Sequence, residues 1–231
     1  MPNKPEGSSH RGRLVTIEGI DGCGKSVLAK ELVTLLRHRD LPTLLVSRKT
    51  VSDTVSGFMS THLADLAHLI WEYPESARTS ELGFDHWAHL LAAWYYVVDH
   101  VVVRPGIARG NLVIVDAWFY KYVARFAVDM DIAEALRFFS GVTVPDQVVW
   151  LDLPPELCAT RREQFRPTER GEWAGKDGEI AGFVEYQTRV RTQFSKLAVT
   201  GRWHVEHKPR DPMCLAYRVS EELTREWAAE A

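Results

Sequence analysis

The stretch that most constrains this chain is residues 14–26. There a short β-branched run, Leu14-Val15-Thr16-Ile17, passes through Glu18 into Gly19-Ile20-Asp21-Gly22-Cys23-Gly24-Lys25-Ser26, and a helical pattern follows. The segment satisfies Gly-x-x-x-x-Gly-Lys-Ser/Thr at every fixed position and stands between a predicted strand and a predicted helix, the context the motif requires. Glycines let successive backbone N–H groups turn inward around phosphate oxygens, and the helix amino end adds partial positive charge for the same anion. Gly19, Asp21, Gly22, Cys23, Gly24, Lys25, Ser26 and Val27 are therefore the expected triphosphate cradle. Lys25 supplies a point charge for the β- and γ-phosphates, and the Ser26 hydroxyl is placed to ligate Mg²⁺. The expected ligands are ATP and Mg²⁺. No Asn-Lys-x-Asp guanine-reading sequence occurs, which argues against a GTPase.

The rest of the chain supplies a matching frame. Continuous apolar runs at 43–47, 112–115 and 148–151, with a weaker one at 203–206, suit strands of a parallel sheet covered on both faces. Helical segments are predicted over 27–37, 55–70, 82–103, 119–139, 155–164, 181–198 and 212–227. Leu90, Trp94, Val97 and Val101 make one core-facing stripe; Phe183, Tyr186, Val190, Phe194 and Leu197 make another. The expected fold class is α/β, a P-loop three-layer sandwich with a five-stranded parallel sheet, helices on both faces and a short lid at about 161–178. One domain is expected over 14–231, after a flexible polar tail at 1–13. Ligands in such sheets gather at the carboxyl ends of the strands.

Charge and cysteine content narrow the partners. Formal net charge is −3, from 28 basic and 31 acidic residues, so no broad surface for a nucleic-acid polymer or an anionic membrane is expected. The apolar run at 97–103 is broken by Asp99 and His100, and no stretch reaches the ~18 apolar residues that a membrane span needs. Cys23, Cys158 and Cys214 are widely spaced, with no CxxC pair, and the polar start lacks an apolar leader; a cytoplasmic protein is expected. The histidines form no metal-ligand pattern, so no zinc site is expected.

Four passages resemble the thymidylate kinase family of nucleoside monophosphate kinases. The first, residues 15–22, resembles that family's opening strand and its phosphate loop with an internal acid. The second is Arg104-Pro105-Gly106-Ile107-Ala108-Arg109-Gly110 followed by Val113-Ile114-Val115-Asp116. Leu151-Asp152-Leu153-Pro154-Pro155-Glu156-Leu157 is the third, and the late helix with Tyr186, Arg189, Val190 and Arg191 is the fourth. The resemblance implies a homodimeric ATP-dependent phosphotransferase acting on a nucleoside monophosphate or nucleotide analogue. It implies further that Asp21 bonds a sugar hydroxyl or activates the acceptor, that Asp116 serves as general base or magnesium ligand, and that Arg48 belongs to the acceptor site.

The chain also departs from the family. Where the family has Asp-Arg on the long helix, this sequence has Trp94-Tyr95; where the family has Asp-Arg-aromatic, it has Asp116-Ala117-Trp118. Two arginines that would hold the acceptor phosphate are missing, a loss worth several kcal/mol unless replaced. Lys121 and Arg125, one helical turn apart, are candidate replacements. Tyr95 and Trp118 are candidate acceptor contacts, because they replace or adjoin recognition positions. Arg161, Arg162, Arg166 and Arg170 form an arginine-rich segment with the makeup of a lid; Arg166 is the expected catalytic lid arginine and Arg162 an ATP contact. Two other readings stay open: a kinase for the hydroxyl of a nucleoside-like or other small molecule, and a nucleotide-binding protein without turnover.

Overall fold

The computed structural model describes residues 11–74, 79–171, 179–199, 201, 203–207 and 211–229. Residues 1–10 of the expected tail and 172–178 of the expected lid lie outside the described residues. The strands form where the apolar runs stand: β1 (Arg13–Gly19), β2 (Thr43–Ser47), β3 (Leu112–Asp116), β4 (Gln147–Leu151) and β5 (Trp203–Glu206). All pair in parallel, in the order β2-β3-β1-β4-β5. The central strands β1 and β4 bury almost every side chain, whereas the edges β2 and β5 are mostly half-buried. Central strands covered on both faces have no solvated side to accommodate polar residues, hence their mostly apolar sequence.

The register places the chemistry. Asp116 lies opposite Ile17 of β1 and Ser47 of β2, and Gly19 lies opposite Leu151. The carboxyl ends of four strands therefore bring the phosphate loop, Arg48, Asp116 and Asp152 to one edge of the sheet.

Helices surround the sheet. After the loop comes α1 (Lys25–Arg37), which packs on the last helix described, Pro212–Ala229. Then follow α2 (Phe58–Trp71), α3 (Phe84–Val98) and α4 (Arg104–Ala108). Beyond β3 are α5 (Tyr120–Phe126) and α6 (Ile132–Arg137); beyond β4 are α7 (Pro155–Ala159), α8 (Pro167–Arg170) and α9 (Glu179–Val199). Phe194 of α9 stacks on Trp150 of β4 at 6.0 Å.

Several helix boundaries differ from the sequence pattern for identifiable reasons. The segment 82–103 is not one α-helix: after α3 the chain passes through a π-helical stretch, Asp99–Val103, before α4. The wider turn sits where Asp99 is buried and Oδ2 accepts from Arg104 Nε (2.7 Å) and the Thr143 amide (3.2 Å). The segment 119–139 breaks after α5, and Asp131 starts α6 by accepting from the Ala133 amide at 2.8 Å. The helix expected over 155–164 ends at Ala159, and the one expected from 55 starts only after Gly57, whose φ is +61°. In α3 the buried face runs through Leu91, Trp94, Tyr95 and Val98, with Leu90, Val97 and Val101 only partly buried at its flank.

Candidate active site

The phosphate loop takes its shape from glycine. Gly22 and Gly24 have φ of +80° and +103°, a region that costs any residue with a Cβ, and a Cβ on Gly22 would also meet the Cys158 carbonyl at 2.8 Å. Lys25 is buried, and its ammonium donates back to the loop carbonyls of Gly19 (3.0 Å) and Ile20 (2.7 Å). Its third contact is Cys23 Sγ at 3.7 Å, a weak acceptor that competes poorly with a phosphate oxygen. Ser26 and Val27, at the start of α1, are exposed beside the loop. Arg161 reaches the loop from the other side, with Nη1 donating to the Cys23 carbonyl at 3.4 Å.

A cavity of about 750 Å³ extends from this loop to the end expected to take the acceptor, where Arg48, Tyr95, Asp116, Trp118, Lys121 and Arg125 line it. Asp21 sits between the two ends. Its carboxylate accepts from Lys121 Nζ (2.5 Å) and Arg125 Nη2 (3.1 Å), and from Gln187 Nε2 at a long 3.4 Å. Burial alone would raise the Asp21 pKa, but Lys121, then Arg125 and Lys25, outweigh it and hold the carboxyl well below the ordinary range. Burial, against the pull of Asp21, lowers the pKa of Lys121.

Glu18 behaves in the opposite way. It lies fully buried at the end of β1, and desolvation pushes its pKa up to about 8 despite hydrogen bonds from the Trp118 amide and Thr16 and the nearby charge of Lys25. Its Oε1 holds the Trp118 amide at 2.9 Å, which fixes the Asp116-Ala117-Trp118 turn onto β1. Its Oε2 has no partner among the described residues.

The aromatic residues divide into wall and core. Trp118 is 1% exposed, spends its indole N–H on the Thr143 carbonyl (3.0 Å) and meets Tyr95 edge-on at 5.2 Å. Both form the inner wall of the cavity, with their rings locked in the core. Trp71, to which sequence reasoning gave no role, stands farther forward: Arg48 lies over its ring at 5.0 Å and its N–H donates to the Tyr122 hydroxyl at 2.9 Å.

The described part of the lid segment is tied down at its base. Arg162 Nη2 donates to both oxygens of Glu169 (2.9 and 2.8 Å), Arg125 to the Thr168 carbonyl (2.7 Å), and Gln187 to the Glu169 carbonyl (2.8 Å). Arg170 pairs with Glu179 at 2.8 Å, away from the cavity. Arg166 lines the cavity, its Nη1 at 3.5 Å from the Trp71 carbonyl. Asp152 is held by Arg191 (2.5 and 3.0 Å) and His207 (2.8 Å), a brace at the β4 end.

Two further residues join the site that sequence reasoning left without a role, Glu18 and Gln187. Glu18 is the one carboxylate inside the buried strand β1, and Gln187 is a fully buried amide within the apolar stripe of α9. A polar residue at a core position is the signal that could have found both.

The donor set suits magnesium. A serine hydroxyl and a carboxylate are hard oxygen ligands of the kind Mg²⁺ takes together with substrate phosphates, and Ser26 and Asp116 offer them on the same cavity.

No protein-family model matches the chain. Among curated proteins it is 33% identical over 177 residues to a thymidylate kinase of Rhodopseudomonas palustris, covering 73% of this chain and 71% of that protein. It is 33% identical over 151 residues to a thymidylate kinase of Xanthomonas oryzae pv. oryzae, covering 65% of this chain and 60% of the relative's length. A probable thymidylate kinase of Pyrococcus horikoshii is 29% identical over 191 residues, covering 81% of this chain and 83% of that protein. With the parallel sheet, the phosphate loop at its edge and identity of this extent, the chain belongs to the thymidylate kinase family.

Proposed function

We propose that this protein transfers the γ-phosphoryl group of ATP to a nucleoside monophosphate or nucleotide analogue. The observation that carries the reading is electrostatic. The carboxylates Asp21 and Asp116 on this cavity face Lys25, Arg48, Lys121, Arg125 and Arg166, while Glu18, with a pKa near 8, is largely neutral at pH 7 and offsets little of that charge. A buried surplus of positive charge fits two phosphorylated ligands meeting end to end.

On this reading Lys25 and the loop N–H groups hold the donor phosphates, with Arg162 and Arg161 closing from the α7–α8 side. Ser26 and Asp116 would hold magnesium, which would supply neutralising charge for the donor phosphates. Asp116 takes any proton left on the attacking phosphate oxygen of the acceptor or orients the acceptor. Asp21 aligns Lys121 and Arg125, whose N–H groups replace the arginines missing at positions 95 and 117. Arg48, Tyr95 and Trp118 shape the acceptor end, and Arg166 moves toward the transferring group when the lid closes. The homodimer implied by the family is part of the same proposal.

A second reading has its own support: Lys121 and Arg125 are both engaged by Asp21, which fits an acceptor that brings a hydroxyl and no phosphate. ADP release from ATP·Mg²⁺ separates the two, measured with dTMP, the other nucleoside monophosphates and their unphosphorylated nucleosides, with Lys25→Ala as blank. Turnover with a monophosphate supports the first reading; turnover confined to nucleosides overturns it in favour of the second; none with any acceptor sinks both.

A further inference from the structure

Behind the inner wall of the cavity lies a polar clip. Asp99, in the π-helical stretch after α3, does not line the cavity and is 1% exposed. Its Oδ2 accepts from Arg104 Nε at 2.7 Å and from the Thr143 amide at 3.2 Å. Arg104 Nη2 donates to the Gly141 carbonyl at 2.6 Å, and the Gly141 amide donates to the Tyr96 hydroxyl at 3.0 Å. Residues 141–143, ahead of β4, are thereby pinned to the far end of α3.

The pinned loop carries the wall. Thr143 gives its amide to Asp99 and accepts the Trp118 indole N–H on its carbonyl at 3.0 Å. Trp118 lines the cavity, meets Tyr95 edge-on at 5.2 Å, and follows Asp116 by two residues in a turn whose Ala117 has φ of +64°. Glu18 fixes the main chain of that turn through the Trp118 amide at 2.9 Å, and Thr143 fixes its ring. One amide, one carbonyl and one indole therefore connect Asp99 to the cavity.

Packing does not account for Asp99. A buried carboxylate is costly to desolvate and is compensated only where its lone pairs are met, yet its Oδ1 has no partner among the described residues. An apolar residue would occupy the place without that cost. The chain has instead a carboxylate there and a widened helical turn that carries it, and such turns are frequent at functional sites.

We infer that Asp99 is a positioning residue for the phosphoryl acceptor: through Thr143 it holds the Trp118 ring, and with it the Asp116-Ala117-Trp118 turn, against the acceptor end. The kinetic consequence rests on the reading of that end given above; the hold on Trp118 does not. A shift of about 1 Å in a group that orients substrate can cost about a hundredfold in rate, so a clip outside the cavity has leverage within it.

The test uses the full chain. Asp99→Ala removes the accepting oxygens; Arg104→Met, at a half-exposed side chain, releases the Gly141 carbonyl and serves if the first fails to fold. With isotope-labelled tryptophan, NMR follows hydrogen exchange at each indole N–H, that of Trp118 being the signal lost in Trp118→Phe. Exchange at Trp118 is expected to be about tenfold or more faster in Asp99→Ala and about threefold or more faster in Arg104→Met. Trp150, buried in β4, should keep its wild-type rate. In ADP release with dTMP, KM for dTMP should rise about fivefold or more while KM for ATP stays within about twofold. Asp99→Asn keeps an oxygen for the Thr143 amide and should recover most of the loss. A merely structural Asp99 would instead speed all buried indole N–H groups alike and lower kcat with both KM values unchanged, and that result overturns the inference. Faster exchange at Trp118 with no change in KM for dTMP overturns it as well. If dTMP is not turned over, the reading of the acceptor end fails by itself and the exchange rates decide: selective exchange at Trp118 keeps Asp99 as the residue that positions this wall, and equal rates remove it.

Discussion

The two ends of the cavity are built by different means. At the phosphate-loop end the main chain does the work: Lys25 is aimed by the carbonyls of Gly19 and Ile20, and the turn depends on glycines that tolerate φ of +80° and +103°. At the acceptor end the contacts are made by side chains from separate helices, with Lys121 and Arg125 of α5 gathered by Asp21, and Trp71 of α2 bonded to Tyr122. A site made of backbone permits few sequences and so reads as a motif. A site made of side chains can be rewritten one residue at a time while the fold stands, which is how two expected arginines come to be Tyr95 and Ala117.

The contrast can be broken most forcefully at Lys25. Lys25→Ala is expected to lower phosphoryl transfer by about a thousandfold or more, because the charge it places on the transferring phosphate has no substitute nearby. Circular dichroism should be unchanged, and wild-type turnover would dispose of the proposed roles at both ends. Next in size is Asp21→Asn. It leaves Lys121 and Arg125 without their counter-charge in a buried place, and about 3–5 kcal/mol of stability should be lost in urea unfolding. A loss below about 1 kcal/mol would mean that the pair is solvated and not a built feature. Arg125→Gln sharpens the comparison by separating the ends: KM for the acceptor should rise about tenfold or more while KM for ATP stays within about twofold.

Glu18→Gln has a smaller effect, read through pH. Wild-type Glu18 is protonated in the folded state up to a pKa of about 8 and titrates near 4.5 when unfolded. Between those values only the folded state binds the proton, so its contribution to stability is full below about pH 4.5, declines as pH rises and is lost above about 8. The variant should flatten that decline and be the more stable form relative to wild type at pH 9. Chemical denaturation across pH 5–9 checks it, and parallel curves would show that the carboxyl does not titrate there.

How far the sequence disclosed all this follows the same division. The five strands, the loop and the sheet's order of chemistry were legible because continuous apolar runs and glycine spacing are local signals. Helix breaks were not: the π-helical stretch at 99–103 sits where Asp99 accepts from the Thr143 amide, a partner distant in sequence that only the fold supplies. Lys121 and Arg125 were identifiable as a pair by their spacing, but their shared partner was not, since Asp21 is about 100 residues away in sequence. Arg162 was taken for an ATP contact; in the structure its Nη2 donates to both oxygens of Glu169 and ties the base of the lid segment, a duty that no spacing encodes.

Ala117, in the turn that Glu18 holds, has φ of +64°. That conformation costs an L-residue on the order of 1 kcal/mol, nearly the same for alanine as for any unbranched side chain. The backbone there is thus indifferent to what the residue carries beyond Cβ, although it sits beside the reacting groups. Ala117→Gly should raise stability by less than about 1 kcal/mol, and Ala117→Arg should leave it nearly unchanged. Position 117 is a socket: a lineage, or an engineer, can exchange the group that greets the acceptor without renegotiating the fold.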